Sequence, residues 1–98
     1  MKKGAVLITG GGSGIGAACA EEFHRAGRPV VIVGRTASRL KETARALGGG
    51  DRVLMLAGDA GDEAFARRVF AAARKRFGSV DILVNNAAVL VKKPFLET

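Results

Sequence analysis

Eight consecutive residues, Thr9-Gly-Gly-Gly-Ser-Gly-Ile-Gly16, include five glycines and directly follow a short apolar run. Glycine is the costliest residue to order inside a helix or strand, so this stretch must be a turn whose backbone is needed bare. Upstream, Gly4-Ala-Val-Leu-Ile-Thr9 is continuous and apolar, as in a strand buried on both faces. Downstream, from 14 to 26, the apolar residues switch to helical spacing. Ile15, Ala18, Cys19, Glu22/Phe23 and Ala26 fall on the stripe, and Gly27 is the stop. Strand, glycine turn and helix in immediate succession define the start of a parallel α/β unit.

The same switching of period continues along the chain. Pro29-Val-Val-Ile-Val33 reads as a second buried strand, with proline where a ladder donor is least missed. A helix follows, capped by Thr36 or Ser38, with Leu40, Ala44 and Leu47 on one face and Gly48-Gly-Gly50 at its end. Residues 52–57 form a third strand. Asp62 caps the strongest helix, whose stripe runs Phe65, Val69, Ala72/Ala73, Arg76/Phe77, and Gly78 ends it. Residues 80–84 form a fourth strand leading into Asn85-Asn86-Ala87-Ala88, while 89–98, broken by Pro94, complete no element. The order β-α-β-α-β-α-β predicts one α/β domain over residues 1–98, the first half of a doubly wound Rossmann sheet. Its strand order is 3-2-1-4, with helices on both faces.

Charge and composition narrow the function classes. Lys+Arg number 16 and Asp+Glu 9, a net +7, yet the densest basic cluster is only Arg74-Lys75-Arg76. That cluster reads as a solvated helix end and not a nucleic-acid patch, since stacking aromatics are sparse beside it. One His and one Cys cannot build a His/Cys metal cage. The apolar run at 4–8 is too short for a signal-peptide core, and no run approaches a bilayer span, so the cytoplasm is the expected compartment, with no membrane partner.

The glycine loop suits a pyrophosphate, because bare backbone and unpaired N–H groups at a helix N-terminus both favour a phosphate group. It is not a P-loop: Ala17 and Ala18 stand where Lys and Ser/Thr would follow Gly16. Gly14 is expected to need positive φ and ligand space, so Gly14→Val should abolish binding. About 20 residues on, where an NAD-binding fold offers an acid to the ribose, strand two ends Val33-Gly34-Arg35-Thr36. Arg35 can pair with a ribose 2′-phosphate; the plainer alternative is a surface arginine. Arg39, one turn on, is read as solvated, with a second phosphate contact as the alternative.

Thr9-Gly10-x-x-x-Gly14-Ile15-Gly16 resembles the TGxxxGIG signature of the short-chain dehydrogenase/reductase (SDR) family. Asp59-Ala60 resembles that family's Asp facing the adenine ring. Asn85-Asn86-Ala87-Ala88 resembles its NNAG, with Ala88 where glycine is usual, and the segment Pro94-Phe-Leu-Glu-Thr98 resembles the lead-in to its next helix. Together these readings assign Thr9, Gly10, Gly12, Ser13, Gly14, Ile15, Gly16, Arg35, Thr36, Asp59, Ala60, Asn86, Ala87 and Ala88 to the cofactor. NADP (NADPH) is expected in preference to NAD. The resemblance implies an oxidoreductase moving a hydride between nicotinamide and an alcohol or carbonyl. It also implies that the family's catalytic Ser and Tyr-x-x-x-Lys pair lie further along than residue 98. The 98 residues contain no Tyr, so they read as the cofactor half of such an enzyme and are expected to be inactive alone. Asn85 and Asn86 belong to the NNAG-like motif and do not correspond to the family's catalytic Asn. A full-length version is expected to be a homo-oligomer, and the 98-residue chain to self-associate through its fourth strand.

The remaining polar residues have structural readings. Cys19 falls on the apolar stripe as a small core residue. His24 is expected on the outer helix face, Glu21 and Glu22 in solvent, and Asp81 fixing the loop before strand four. Competing functional readings are a non-catalytic nucleotide-binding or regulatory module and a non-functional gene fragment.

Overall fold

The computed structural model describes residues 3–86; the readings on Ala87, Ala88 and residues 89–98 lie outside them. The elements are β1 (Ala5–Thr9), α1 (Gly14–Arg25), β2 (Val30–Gly34), α2 (Ala37–Ala46), β3 (Val53–Ala57), α3 (Glu63–Phe77) and β4 (Val80–Asn85). All strand pairs are parallel, in the order β3-β2-β1-β4. Ile8 lies beside Ile32 on one side and Val84 on the other.

The unbroken apolar runs of β1 and β2 follow from this position, because both strands are covered above and below. Val6, Ile8, Val30 and Ile32 face one layer with Ala20 of α1 and Leu40 of α2. Ala5, Leu7, Val31 and Val33 face the other with Phe65, Val69 and Ala73 of α3. Ile8, Ile32 and Leu40 are among the largest fully buried side chains, each stabilising the fold by about 1.5–3 kcal/mol through burial.

Helix ends follow local chemistry. The Asp62 carboxylate accepts from the Phe65 N–H at 3.2 Å, capping α3. Gly78 closes it at φ 91°, which a side chain would disfavour. Thr36 holds the N-cap position of α2, but its side chain makes no capping bond; the Arg39 and Leu40 N–H groups bond its backbone carbonyl instead.

Three sequence expectations are corrected. The buried face of α1 is Gly16 and Ala20, flanked by Cys19 and Phe23, whereas Ile15, Ala18 and Ala26 are exposed. β3 begins at Val53, and Arg52 instead turns its guanidinium onto the end of α1, donating to the His24 and Arg28 carbonyls at 3.1 and 3.3 Å. His24 is half-buried beside that contact, where burial and the Arg52 charge both hold its pKa below the usual histidine value. Asp81 does fix its loop: it accepts from the Gly4 N–H at 3.0 Å, from Ser79 Oγ at 3.2 Å and from Arg28 at 3.4 Å, tying the start of β1 to the start of β4. Glu21 and Glu22 are exposed, as expected.

Candidate functional site

At the carboxyl ends of the strands the glycine loop passes from β1 into α1. Gly10 turns the chain at φ 71°, a conformation that side chains disfavour. The Ser13 hydroxyl accepts from the Gly16 N–H at 3.1 Å and donates to the Gly10 carbonyl at 2.8 Å, so one side chain both caps α1 and closes the turn. A Cβ at Gly16 would collide with the Gly10 carbonyl, which makes Gly16 the close-packing glycine. Gly14 differs from the sequence expectation: its φ is not positive, and a Cβ there would meet nothing within 4 Å. Backbone strain is therefore no reason for glycine at 14. Ile15 is 71% exposed beside it. Gly14 and Ile15 precede the first internal helical hydrogen bond, so their N–H groups face outward from the helix end.

The end of β4 braces this loop. The Asn86 backbone N–H donates to Thr9 Oγ1 at 2.9 Å, and Asn86 Nδ2 donates to Ser13 Oγ at 2.9 Å. Thr9 Oγ1 in turn donates to Asn85 Oδ1 at 3.0 Å. From the other side Thr43, buried on α2, donates to the Gly11 carbonyl at 3.0 Å. Sequence reasoning missed Thr43; its only signal was a hydroxyl on the Leu40 face of a helix.

A cleft of about 110 Å³ opens between the loop and the end of β2, lined by Gly10, Gly12, Ser13, Gly34, Arg35, Thr36, Arg39 and Leu40. Arg35 and Arg39 thus border one concavity, together with the bare backbone of Gly12. Asp59 and Ala60 lie just past β3; Asp59 Oδ1 accepts from the Gly61 N–H at 2.8 Å and sits 3.6 Å from the Arg35 guanidinium. Ala60 turns away from the cleft, packing against the α3-side core and lining a separate apolar groove of about 170 Å³ with Leu7, Val33, Phe65, Val69 and Leu83. A helix N-terminus, a glycine cradle and two guanidinium groups form a donor-rich surface suited to phosphates. Among the described residues no group of His, Cys, Asp and Glu could hold a metal ion, and no helix is long and apolar enough to cross a membrane.

The loop, its brace and the sheet order define a dinucleotide-binding half-sheet, and comparison with known proteins identifies its lineage. The short-chain dehydrogenase profile matches residues 4–98, and the chain belongs to that family. It is 38% identical over its whole length to an NADP-dependent (R)-specific alcohol dehydrogenase of Lentilactobacillus kefiri, of which it covers 39%. It superposes with a TM-score of 0.81 on a Brucella melitensis 3-ketoacyl-(acyl-carrier-protein) reductase complexed with NADH, at 41% identity, covering 90% of this chain and 35% of that one. A glucose/ribitol dehydrogenase-type SDR structure from the same organism gives 0.84 at 34% identity, covering 99% and 40%. The chain therefore spans well under half the length of these relatives and corresponds to their nicotinamide-dinucleotide-binding portion.

Proposed function

We propose that this chain is the NADP(H)-binding portion of an SDR oxidoreductase that interconverts an alcohol and a carbonyl compound. Arg35 carries the reading: it directly follows β2 beside the glycine cleft, Gly34 precedes it, and no carboxylate stands at either position. An acid there would repel a 2′-phosphate, whereas a guanidinium pairs with one through charge-assisted hydrogen bonds. The relatives do not decide between the two cofactors, since one is NADP-dependent and another is complexed with NADH.

The residues present fit the cofactor. Gly14 and Ile15 offer N–H groups to the pyrophosphate, and Gly12 leaves the backbone bare beside it. Arg35, Thr36 and Arg39 line the end of the cleft where the 2′-phosphate would lie, with Asp59 on the adenine side. Thr9, Gly10, Ser13, Gly16 and Asn86 hold the loop in shape, and Ala60 packs on the α3-side core. Ala87 and Ala88 are proposed as further cofactor-binding residues. When bound, the nicotinamide supplies or accepts a hydride.

Isothermal titration with 2′-phospho-ADP-ribose and ADP-ribose tests the reading on the part of the site these residues form. The phosphorylated ligand should bind roughly tenfold or more tightly, as expected for a charge-assisted pair. Arg35→Asp should reverse the order. Equal affinities in the parent chain would overturn it.

A further inference from the structure

Arg35 and Asp59 lie just past the ends of the neighbouring strands β2 and β3. Gly34 lies beside Ala57 in the β2–β3 register, and the last rung is the Gly58 N–H bonded to the Gly34 carbonyl at 2.8 Å. The next residues along the two strands' exits are Arg35 and Asp59, and the backbone fixes their adjacency whatever their side chains do. The side chains meet: Arg35 Nη2 lies 3.6 Å from Asp59 Oδ1, with both groups largely exposed. Asp59 is itself held, because the same Oδ1 accepts from the Gly61 N–H at 2.8 Å. Among the described residues Arg35 has no such anchor, and it reaches from the cleft edge toward a fixed carboxylate.

We propose that Asp59 sets how strongly this chain favours a 2′-phosphorylated nucleotide, by sharing the Arg35 guanidinium with the incoming phosphate. The proposal rests on the reading of Arg35 as the 2′-phosphate contact and adds a second determinant on a different strand. In the free protein the carboxylate holds the guanidinium at the cleft mouth. On binding, the phosphate must draw Arg35 from that carboxylate or share it. Either way part of the pairing energy is already committed, and the preference for the phosphorylated ligand is moderated. An unphosphorylated ribose leaves the Arg35–Asp59 pair intact and is insensitive to the competition.

Asp59→Asn separates this role from any other. The amide keeps an oxygen for the Gly61 N–H and removes only the charge. Titration of the 98-residue chain with 2′-phospho-ADP-ribose and ADP-ribose should then show the affinity ratio rising roughly 3- to 10-fold at low salt, the range expected for one exposed charge at this distance. The gain should shrink as ionic strength increases. A general loss of adenine contact would weaken both ligands and leave the ratio unchanged. Arg35→Ala alone should lower the ratio, and adding Asp59→Asn to Arg35→Ala should change it no further. If Arg35→Ala lowers the ratio but Asp59→Asn does not raise it, the sharing proposal fails and the NADP reading stands. A rise that persists without Arg35 means direct repulsion of the phosphate and also overturns sharing. If Arg35→Ala leaves the ratio untouched, the NADP reading fails and this proposal falls with it.

Discussion

Asn86 and Ser13 stand 73 positions apart in sequence and share a 2.9 Å hydrogen bond from Asn86 Nδ2 to Ser13 Oγ. Through it the end of β4 holds the residue that both caps α1 and closes the glycine turn. The exit from β4 is thus the brace for the loop leaving its neighbour β1.

Ser13→Ala removes the cap of α1, its bond to the Gly10 carbonyl and the acceptor for Asn86 at once. A lost N-cap costs about 0.5–2 kcal/mol, and the Asn86 amide keeps its 3.5 Å bond to the Gly10 carbonyl and is partly exposed to water, which limits the further loss. Denaturant unfolding should show a destabilisation near 1–2 kcal/mol, while Ser13→Thr retains most of the stability. An alanine variant as stable as the parent would show that the network is decorative.

The two glycines flanking Ile15 should behave oppositely. Gly16→Ala forces a methyl against the Gly10 carbonyl and should destabilise by about 1–3 kcal/mol through overpacking. Gly14→Val sits in open space without positive φ, and valine is no worse a helix former than glycine, so its fold should survive. Its side chain would still crowd the phosphate approach, and binding of ADP-ribose should fall at least tenfold. Circular dichroism melts beside titration calorimetry distinguish the two; a Gly14→Val chain that binds like the parent removes the loop from the ligand site.

That contrast marks what could be read from sequence. The buried strands, the Asp62 cap and the stop at Gly78 were legible because each depends on neighbours in the chain. The buried face of α1 was not. Gly16 faces inward because it lacks a side chain, and the alanines at 17, 18 and 20 give no hydrophobic contrast, so the apolar spacing runs through Ile15 and Ala18, which the fold leaves exposed. At the site, Thr9, Ser13 and Arg35 were recognisable from their places beside the glycines and at the end of β2. The Thr43–Gly11, Ser13–Asn86 and Arg35–Asp59 contacts were not, since each exists only once segments distant in sequence lie side by side.

Stability should fall with acidity in two separate windows. His24 has a folded pKa below its usual 6.5, from burial first and the Arg52 charge second. Its contribution is complete above pH 6.5 and is lost as pH falls through the lowered folded value. Asp81 has a folded pKa below its usual 3.8, chiefly from the Gly4 N–H and then Ser79. Its contribution is present above that value and lost only in stronger acid. Urea midpoints measured across pH should flatten in the upper window for His24→Gln and in the lower one for Asp81→Asn. A His24→Gln profile parallel to the parent would remove histidine from the pH response.

The 98-residue chain should self-associate. Among the described residues β4 pairs with β1 on one side, and Ile82, Leu83 and Val84 remain only half-buried. An apolar groove of about 170 Å³ lies alongside, between Leu83 and the Phe65–Val69 face of α3. A parallel sheet is ordinarily covered on both faces, and an apolar edge invites pairing with another chain. Sedimentation velocity should show concentration-dependent oligomers, and Leu83→Lys should shift them toward monomer by placing charge at that edge. Hydrogen exchange should show the β4 amides less protected than those of β1 at low concentration, where monomer dominates. A monodisperse monomer at high concentration, with β4 as protected as β1, would count against an open edge and favour an autonomous nucleotide-binding module.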